Sequence, residues 1–191
     1  MARWEPNARG RLEDAALDLF TERGYDKTTI AEIAQRAGLT ERTFFRHFAD
    51  KREVLFSGSA HLHDVLVGAV AEAPADAPPL TVVATALERV GSLFEERRSY
   101  ARRRQAAINA NGELLERELV KLAGLAEALD AALRARGTAE GPASVAAETG
   151  IALFRSAFTS WIAADDTAGL SEHIRAAFTS LHSLAVASSA K

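Results

Sequence analysis

Between Thr29 and Phe48 the sequence specifies two short helices and a reversal, with almost no residues left over. Thr29-Ile30-Ala31-Glu32 is a capping box, in which the hydroxyl and the carboxylate each satisfy an amide that the first turn of a helix leaves without a partner. Ile30, Ile33, Ala34 and Ala37 share one face of the helix that follows, and Gly38 stops it. Thr40 then caps a second helix over residues 41–48, with Leu39, Phe44 and Phe48 packed on the first. Two such helices joined by Ala37-Gly38-Leu39-Thr40 meet the requirement for a helix-turn-helix, since glycine lets the chain reverse tightly.

The rest of the chain carries the same helical period, and no stretch alternates as a strand would. A first helix is expected over residues 7–23, with Leu12, Ala15, Ala16, Leu19 and Phe20 inward and Gly24 as its stop. Asp50 is expected to cap a fourth helix over residues 51–72. A proline-bearing break at 73–79 follows, then helices over 80–98, 99–109, 113–136, 144–164 and 171–187. In the 113–136 helix, Leu115, Leu119, Leu122, Leu125 or Ala126, Leu129 and Leu133 are expected to face inward. The predicted fold is all-α, with an N-terminal three-helix helix-turn-helix domain at 1–50 and a helical bundle at 51–191.

Bulk charge does not carry the DNA reading. Residues 1–57 hold 10 basic and 10 acidic residues, and the whole chain is −3. Any affinity for DNA has to come from where the charges sit. The outward face of the 41–48 helix offers Arg42, Thr43, Phe45, Arg46 and His47. Arginine can grip guanine O6 and N7 in a fork, threonine offers a hydroxyl and a methyl, and Phe45 can touch a thymine methyl or a sugar. Phe45 and His47 also stand open as core residues, because Phe44, Phe45 and Phe48 form a hydrophobic cluster. Amides at Thr29, Thr40 and Lys51, at expected helix starts, suit phosphate, and Lys51 adds a charge.

Other chemistry finds no support. The chain has no cysteine, which excludes disulfides, thiolate metal sites and cysteine nucleophiles and suits a reducing cytoplasm. The five histidines show no zinc spacing, and there is no phosphate loop, dinucleotide fingerprint or nucleophile elbow. No metal, cofactor or enzymatic activity is expected. Residues 1–6 lack the apolar core of a signal peptide, and no apolar run is long enough for a membrane span, so no membrane partner is expected.

Taken in order, Leu19-Phe20-Thr21-Glu22-Arg23-Gly24-Tyr25, Thr28-Thr29-Ile30-Ala31-Glu32-Ile33-Ala34, Ala37-Gly38-Leu39-Thr40-Glu41-Arg42-Thr43-Phe44-Phe45-Arg46-His47-Phe48, Asp50-Lys51 and Val54-Leu55 resemble the TetR family of bacterial regulators. The resemblance covers about residues 9–56. It implies an all-helical homodimer whose N-terminal helices bind a palindromic operator and whose C-terminal helices bind a small effector that releases the DNA. Carried over by position, Arg42, Thr43, Phe45, Arg46 and His47 resemble the groove-facing set, and Thr28, Thr29, Thr40 and Lys51 the phosphate contacts. Two positions depart from the family. Phe45 stands where tyrosine is usual, and Glu41 opens the recognition helix, where it opposes phosphate unless it pairs with Arg42 or accepts from a cytosine amine. A competing reading keeps the helical fold as a small-molecule or acyl-chain binder without operator recognition.

The second half is similar to a subgroup with acyl-coenzyme A-like effectors, on residues 102–108, 111–114, 117–119 and Trp161, with Gly112 where proline is usual. That resemblance implies an apolar effector site, for which Leu87, Val90, Phe94, Phe154, Phe158 and Trp161 are candidate lining and Arg102 and Arg103 candidate phosphate partners. Phe154, Phe158 and Trp161 also read as plain core. Arg97, Arg98, Arg102, Arg103 and Arg104 also read as a solvated face balanced by Glu95, Glu96, Glu116 and Glu118. Small residues Ala152, Ser156, Ser160 and Ala163, with Ile174, Phe178 and Leu181, are the candidate dimer surface.

Overall fold

The computed structural model describes residues 7–94 and 97–189. In chain order it has α1 (Ala8–Arg23), α2 (Ile30–Arg36), α3 (Glu41–His47), a 3-10 turn (Arg52–Leu55), α4 (Ser59–Glu72), α5 (Pro79–Ser92), α6 (Arg98–Asn109), α7 (Gly112–Ala135), α8 (Glu140–Ala163) and α9 (Leu170–Ser189). The described residues contain no strand, as the all-helical period predicts.

Local rules fix the N-terminal helices. Asn7 caps α1 by accepting from the Gly10 N–H at 3.0 Å, and Gly24 ends it at φ 87°. The box at Thr29 is complete: Thr29 Oγ1 accepts from the Glu32 N–H, and Glu32 Oε2 accepts from the Thr29 N–H at 2.9 Å. Such a cap contributes about 1 kcal/mol. The Glu32 carboxyl is held below its usual range by the Thr29 N–H and hydroxyl, with Arg23 assisting. Its stabilising effect is therefore present above the ordinary carboxylate range and is lost as pH falls through the depressed value. At the other end of α2, Leu39 N donates to Ala34 O at 2.8 Å and Gly38 N to Gln35 O at 3.0 Å. These two bonds make a Schellman turn, which needs a left-handed residue, and Gly38 supplies φ 66°.

Four helices differ from expectation. The helix expected over 51–72 is broken: Asp50 Oδ1 accepts from Arg52 N at 2.8 Å and Glu53 N at 3.0 Å, but only a 3-10 turn follows. Val54, Leu55 and Phe56 are all buried, and three consecutive residues cannot share one face of an α-helix, so the chain leaves the helix until Ser59. α5 stops at Ser92, after Gly91. α8 starts at Glu140, since Pro142 falls in the first turn, where a missing N–H costs nothing. In α7 the buried positions are Leu114, Ala126, Leu129 and Leu133, whereas Leu115 and Leu119 are exposed.

The last difference follows from how the chain divides. One compact unit is Met1–Gly58 with Tyr100–Glu118, and the other is Ser59–Ser99 with Leu119–Lys191. α7 therefore gives residues to two cores, and one continuous stripe cannot serve both. The first unit runs past residue 50 and takes in the 100–118 segment. The first core holds Leu12, Leu19, Phe20, Ile33, Phe44, Phe48, Val54 and Phe56, joined by Ile108 and Leu114. In the second unit α5 packs on α4, α8 and α9. The approach is close where side chains are missing: a Cβ on Gly150 would lie 2.2 Å from Val83 Cγ1, and one on Gly91 2.8 Å from Ser171 N.

Candidate nucleic-acid interface

α3 is held rigidly from inside. Phe44 is fully buried and meets Phe45 edge-on at 5.6 Å and Phe48 at 5.4 Å. Thr40 Oγ1 accepts from Thr43 N at 3.2 Å and lies 3.0 Å from Thr43 Oγ1. With Phe44 and Phe48 inward at i and i+4, Arg42, Phe45 and Arg46 must point outward, and all three are exposed. Phe45 is 56% exposed, which resolves its reading as core in favour of the surface. His47 is half-buried, and its Nε2 is buried with no hydrogen-bond partner. Glu41 is exposed and forms no pair with Arg42.

The balanced charge of this unit resolves once its ion pairs are traced. Glu13 takes Arg9, Glu22 takes Arg36, Glu32 takes Arg23, Asp50 takes Arg52, Asp18 takes Arg103, Glu118 takes Arg104 and Glu53 takes Arg117. The Arg11 guanidinium donates to the carbonyl of Ala37. Among the described residues of the unit, Lys27, Arg42 and Arg46 are exposed cations with no hydrogen bond or ion pair. Two of these three stand on α3. α3 thus presents two unpaired arginines beside the one carboxylate of Glu41.

Two of the expected phosphate contacts are turned inward. Thr28 is 1% exposed, and its hydroxyl donates to Gly24 O at 2.9 Å. Lys51 donates from Nζ to Tyr25 O and to Thr28 O, both at 2.8 Å, and the ammonium sits 3.9 Å from the centre of the Tyr25 ring. Burial lowers the Lys51 pKa against the pull of Asp26 and Glu113. The Tyr25 hydroxyl is pushed up to about 12 by burial, with Glu113 adding to it. Thr29 and Thr40 remain exposed at their caps. Sequence reasoning passed over Lys27, because a lone lysine in a turn carries no pattern.

Most of the apolar residues assigned to an effector site are buried. Leu87, Val90 and Trp161 are buried, Phe154 nearly so, and Phe94 packs edge-on against Phe158 at 6.1 Å and Trp161 at 6.3 Å. Phe158 completes the cluster against Phe154 and Trp161, at 6.1 and 5.7 Å. The Arg98 guanidinium lies 5.4 Å from the Trp161 ring and donates to carbonyls of the α8–α9 loop. Arg102, Arg103 and Arg104 belong to the other unit. There Arg103 pairs with Asp18, while Arg104 donates to Leu55 O at 2.7 Å and covers the Phe56 ring. Glu95 and Glu96, expected to balance these arginines, lie outside the described residues. One groove, of about 370 Å³, lies between α4 and α7, lined by Ser59, His63, Val120 and Leu125 with the charged Asp64 and Lys121. No group of three or more described acidic or histidine side chains could hold a metal.

The candidate dimer residues differ in exposure. Ala152, Ser156, Ser160 and Ala163 are exposed along α8. Ile174 is fully buried within the chain, where it meets Gly91, and Phe178 and Leu181 are half-buried. The exposed apolar residues of α8 and α9 are instead Val145, Leu184 and Val186, with Leu184 68% exposed.

Residues 12–57 match the family model described as "Bacterial regulatory proteins, tetR family". The chain is 37% identical over 82 residues to the HTH-type transcriptional regulator TcmR of Streptomyces glaucescens, covering 43% of this chain and 36% of that one. It is 36% identical over 97 residues to the HTH-type transcriptional regulator AcrR of Shigella flexneri, covering 47% and 44%. The chain thus spans less than half the length of these curated relatives. The crystal structure of the transcriptional regulator FadR from Bacillus subtilis in complex with stearoyl-CoA superposes over 88% of this chain and 94% of its own, with a TM-score of 0.61 at 20% identity. That likeness speaks for the fold. No helix of the described residues is long and apolar enough to cross a membrane.

Proposed function

We propose that this chain, whose residues 12–57 match the family model of bacterial regulatory proteins of the tetR family, is a ligand-responsive repressor that binds a palindromic operator as a homodimer. The observation that carries the reading is α3, with Arg42, Phe45 and Arg46 outward and both arginines free of partners, while Arg36 and Arg52 are taken by Glu22 and Asp50. Arg42 and Arg46 read guanine edges in the major groove, and Phe45 packs on a thymine methyl or a sugar. Thr43 and His47 sit beside them, with the Thr43 hydroxyl engaged at Thr40. Thr29 and Thr40 approach phosphates.

Dimerisation uses the outer faces of α8 and α9, through Val145, Ala152, Ser156, Ser160, Ala163, Leu184 and Val186. Two recognition helices about 34–36 Å apart then meet successive turns of the same groove. The effector is an apolar small molecule, and the FadR structure with stearoyl-CoA supports an acyl-bearing one. Because Phe94, Phe158 and Trp161 are packed together, the groove between α4 and α7 is the better entry for it.

The test is a titration of the protein onto an inverted repeat from the DNA flanking its gene and onto a scrambled duplex, across a range of salt. Tighter binding to the repeat is expected, with two chains per duplex and affinity falling as salt rises. Equal affinity for both duplexes would leave the fold as an acyl-chain binder without operator recognition.

A further inference from the structure

Between Thr29 and Phe48 the chain has two carboxylates, Glu32 and Glu41. Glu32 is fully engaged: it accepts from the Thr29 N–H at 2.9 Å, from the Thr29 hydroxyl at 3.0 Å and from Arg23 at 2.7 Å. Glu41, the first residue of α3, is exposed, and its carboxylate has no hydrogen bond or ion pair among the described residues. The helix cannot supply a partner. Side chains three and four positions apart are the ones that meet on a helix, and those positions are Phe44 and Phe45, while neighbours such as Arg42 do not face it. Nor does Glu41 serve the cap. The position that would close a capping box on Thr40 is held by Thr43, whose N–H and hydroxyl already meet Thr40 Oγ1 at 3.2 and 3.0 Å.

A carboxylate on a recognition helix is repelled by phosphates, and what offsets that repulsion in the major groove is a donor on a base edge. The donors there are N6 of adenine and N4 of cytosine. The adenine amine lies between two acceptors, its own N7 and O4 of the paired thymine. The cytosine amine has an acceptor on one side only, O6 of the paired guanine. A group that can only accept therefore fits cytosine. We propose that Glu41 is a specificity-determining residue of this interface, accepting a hydrogen bond from N4 of one cytosine in each half-site. The inference rests on the reading of α3 as a recognition helix, whose N-terminal residues meet base edges. Where another base takes that position, the carboxylate is desolvated without a donor, so Glu41 acts more by rejecting the wrong base than by adding affinity.

The test is a selection by the full chain from duplexes with about 20 randomised base pairs, room for two half-sites one turn apart, run for the wild type, Glu41→Gln and Glu41→Ala. The side chain holds nothing in the fold, so both variants are expected to fold as the wild type does. The wild type is expected to enrich an inverted repeat with cytosine at one position of each half-site. Glu41→Gln should move that position to adenine, because an amide accepts from N6 and donates to N7. Glu41→Ala should lose the preference there, and both variants should keep the other positions. On the selected duplex, replacing that cytosine should weaken the wild type about tenfold or more and Glu41→Ala far less. Variants that select the same bases as the wild type at every position, even with a uniform gain in affinity, overturn the proposal and leave Glu41 a charge beside phosphates. A wild type whose altered position holds a base other than cytosine overturns this inference alone. A wild type that enriches no sequence overturns the DNA-binding reading, and this inference with it.

Discussion

Replacing Phe44 with alanine is expected to cost about 3–5 kcal/mol and to open the first unit. The side chain is fully buried in the core that joins Leu12, Leu19, Ile33, Phe48 and Phe56, with aromatic contacts at 5.4 and 5.6 Å. Alanine leaves a cavity there that two seven-residue helices cannot close, since each is already fixed by its threonine cap. A whole domain is stable by only about 5–15 kcal/mol, so the loss is a large share of the total. Hydrogen exchange resolved by peptide is the measurement. Protection should fall first over residues 8–58 and 100–118 and persist in α5, α8 and α9. Loss spread evenly over the chain would contradict a separate first core.

Trp161→Ala is expected to have an effect of the same size in the second unit, about 3–5 kcal/mol. Trp161 is fully buried, meets Phe158 at 5.7 Å and Phe94 at 6.3 Å, and lies under the Arg98 guanidinium. Denaturant unfolding followed by far-ultraviolet circular dichroism reads the loss. Wild-type tryptophan emission adds a second probe, since the only other tryptophan is Trp4. This substitution also separates the two readings that the sequence left open for the aromatic stripe. A ring lining an effector cavity loses less when removed, because part of its surface already faces open space; a packed ring costs the full transfer and cavity terms.

What could be read from the sequence was what depends on near neighbours. The Thr29–Glu32 box, the Thr40 cap, the Gly24 and Gly38 stops and the inward Phe44 and Phe48 involve residues within a few positions of each other, and the structure has all of them. Errors arose where a distant partner decided. Asp50 carries a true cap signal, but burial of Val54, Leu55 and Phe56 together ended the helix it starts. Lys51 carries the charge of a phosphate contact, and nothing near it in sequence shows that the carbonyls of Tyr25 and Thr28 claim that charge. Arg103 reads as a candidate phosphate partner for a ligand, yet its own partner Asp18 lies far away in the chain. Ile174 has the helical spacing of a surface stripe, but Gly91 in α5 makes room for it inside.

Base reading by α3 is the central claim, and Arg42→Ala tests it most directly. The side chain is exposed and unpaired, so its removal leaves the fold intact and takes away only what it offers to a partner. Anisotropy titrations of wild type and variant on the inverted repeat and on a scrambled duplex, at fixed salt, give the comparison. Arg42→Ala is expected to lose about 1–3 kcal/mol per half-site on the repeat and much less on the scrambled duplex. An equal loss on both would make Arg42 a phosphate contact and contradict base reading at this position.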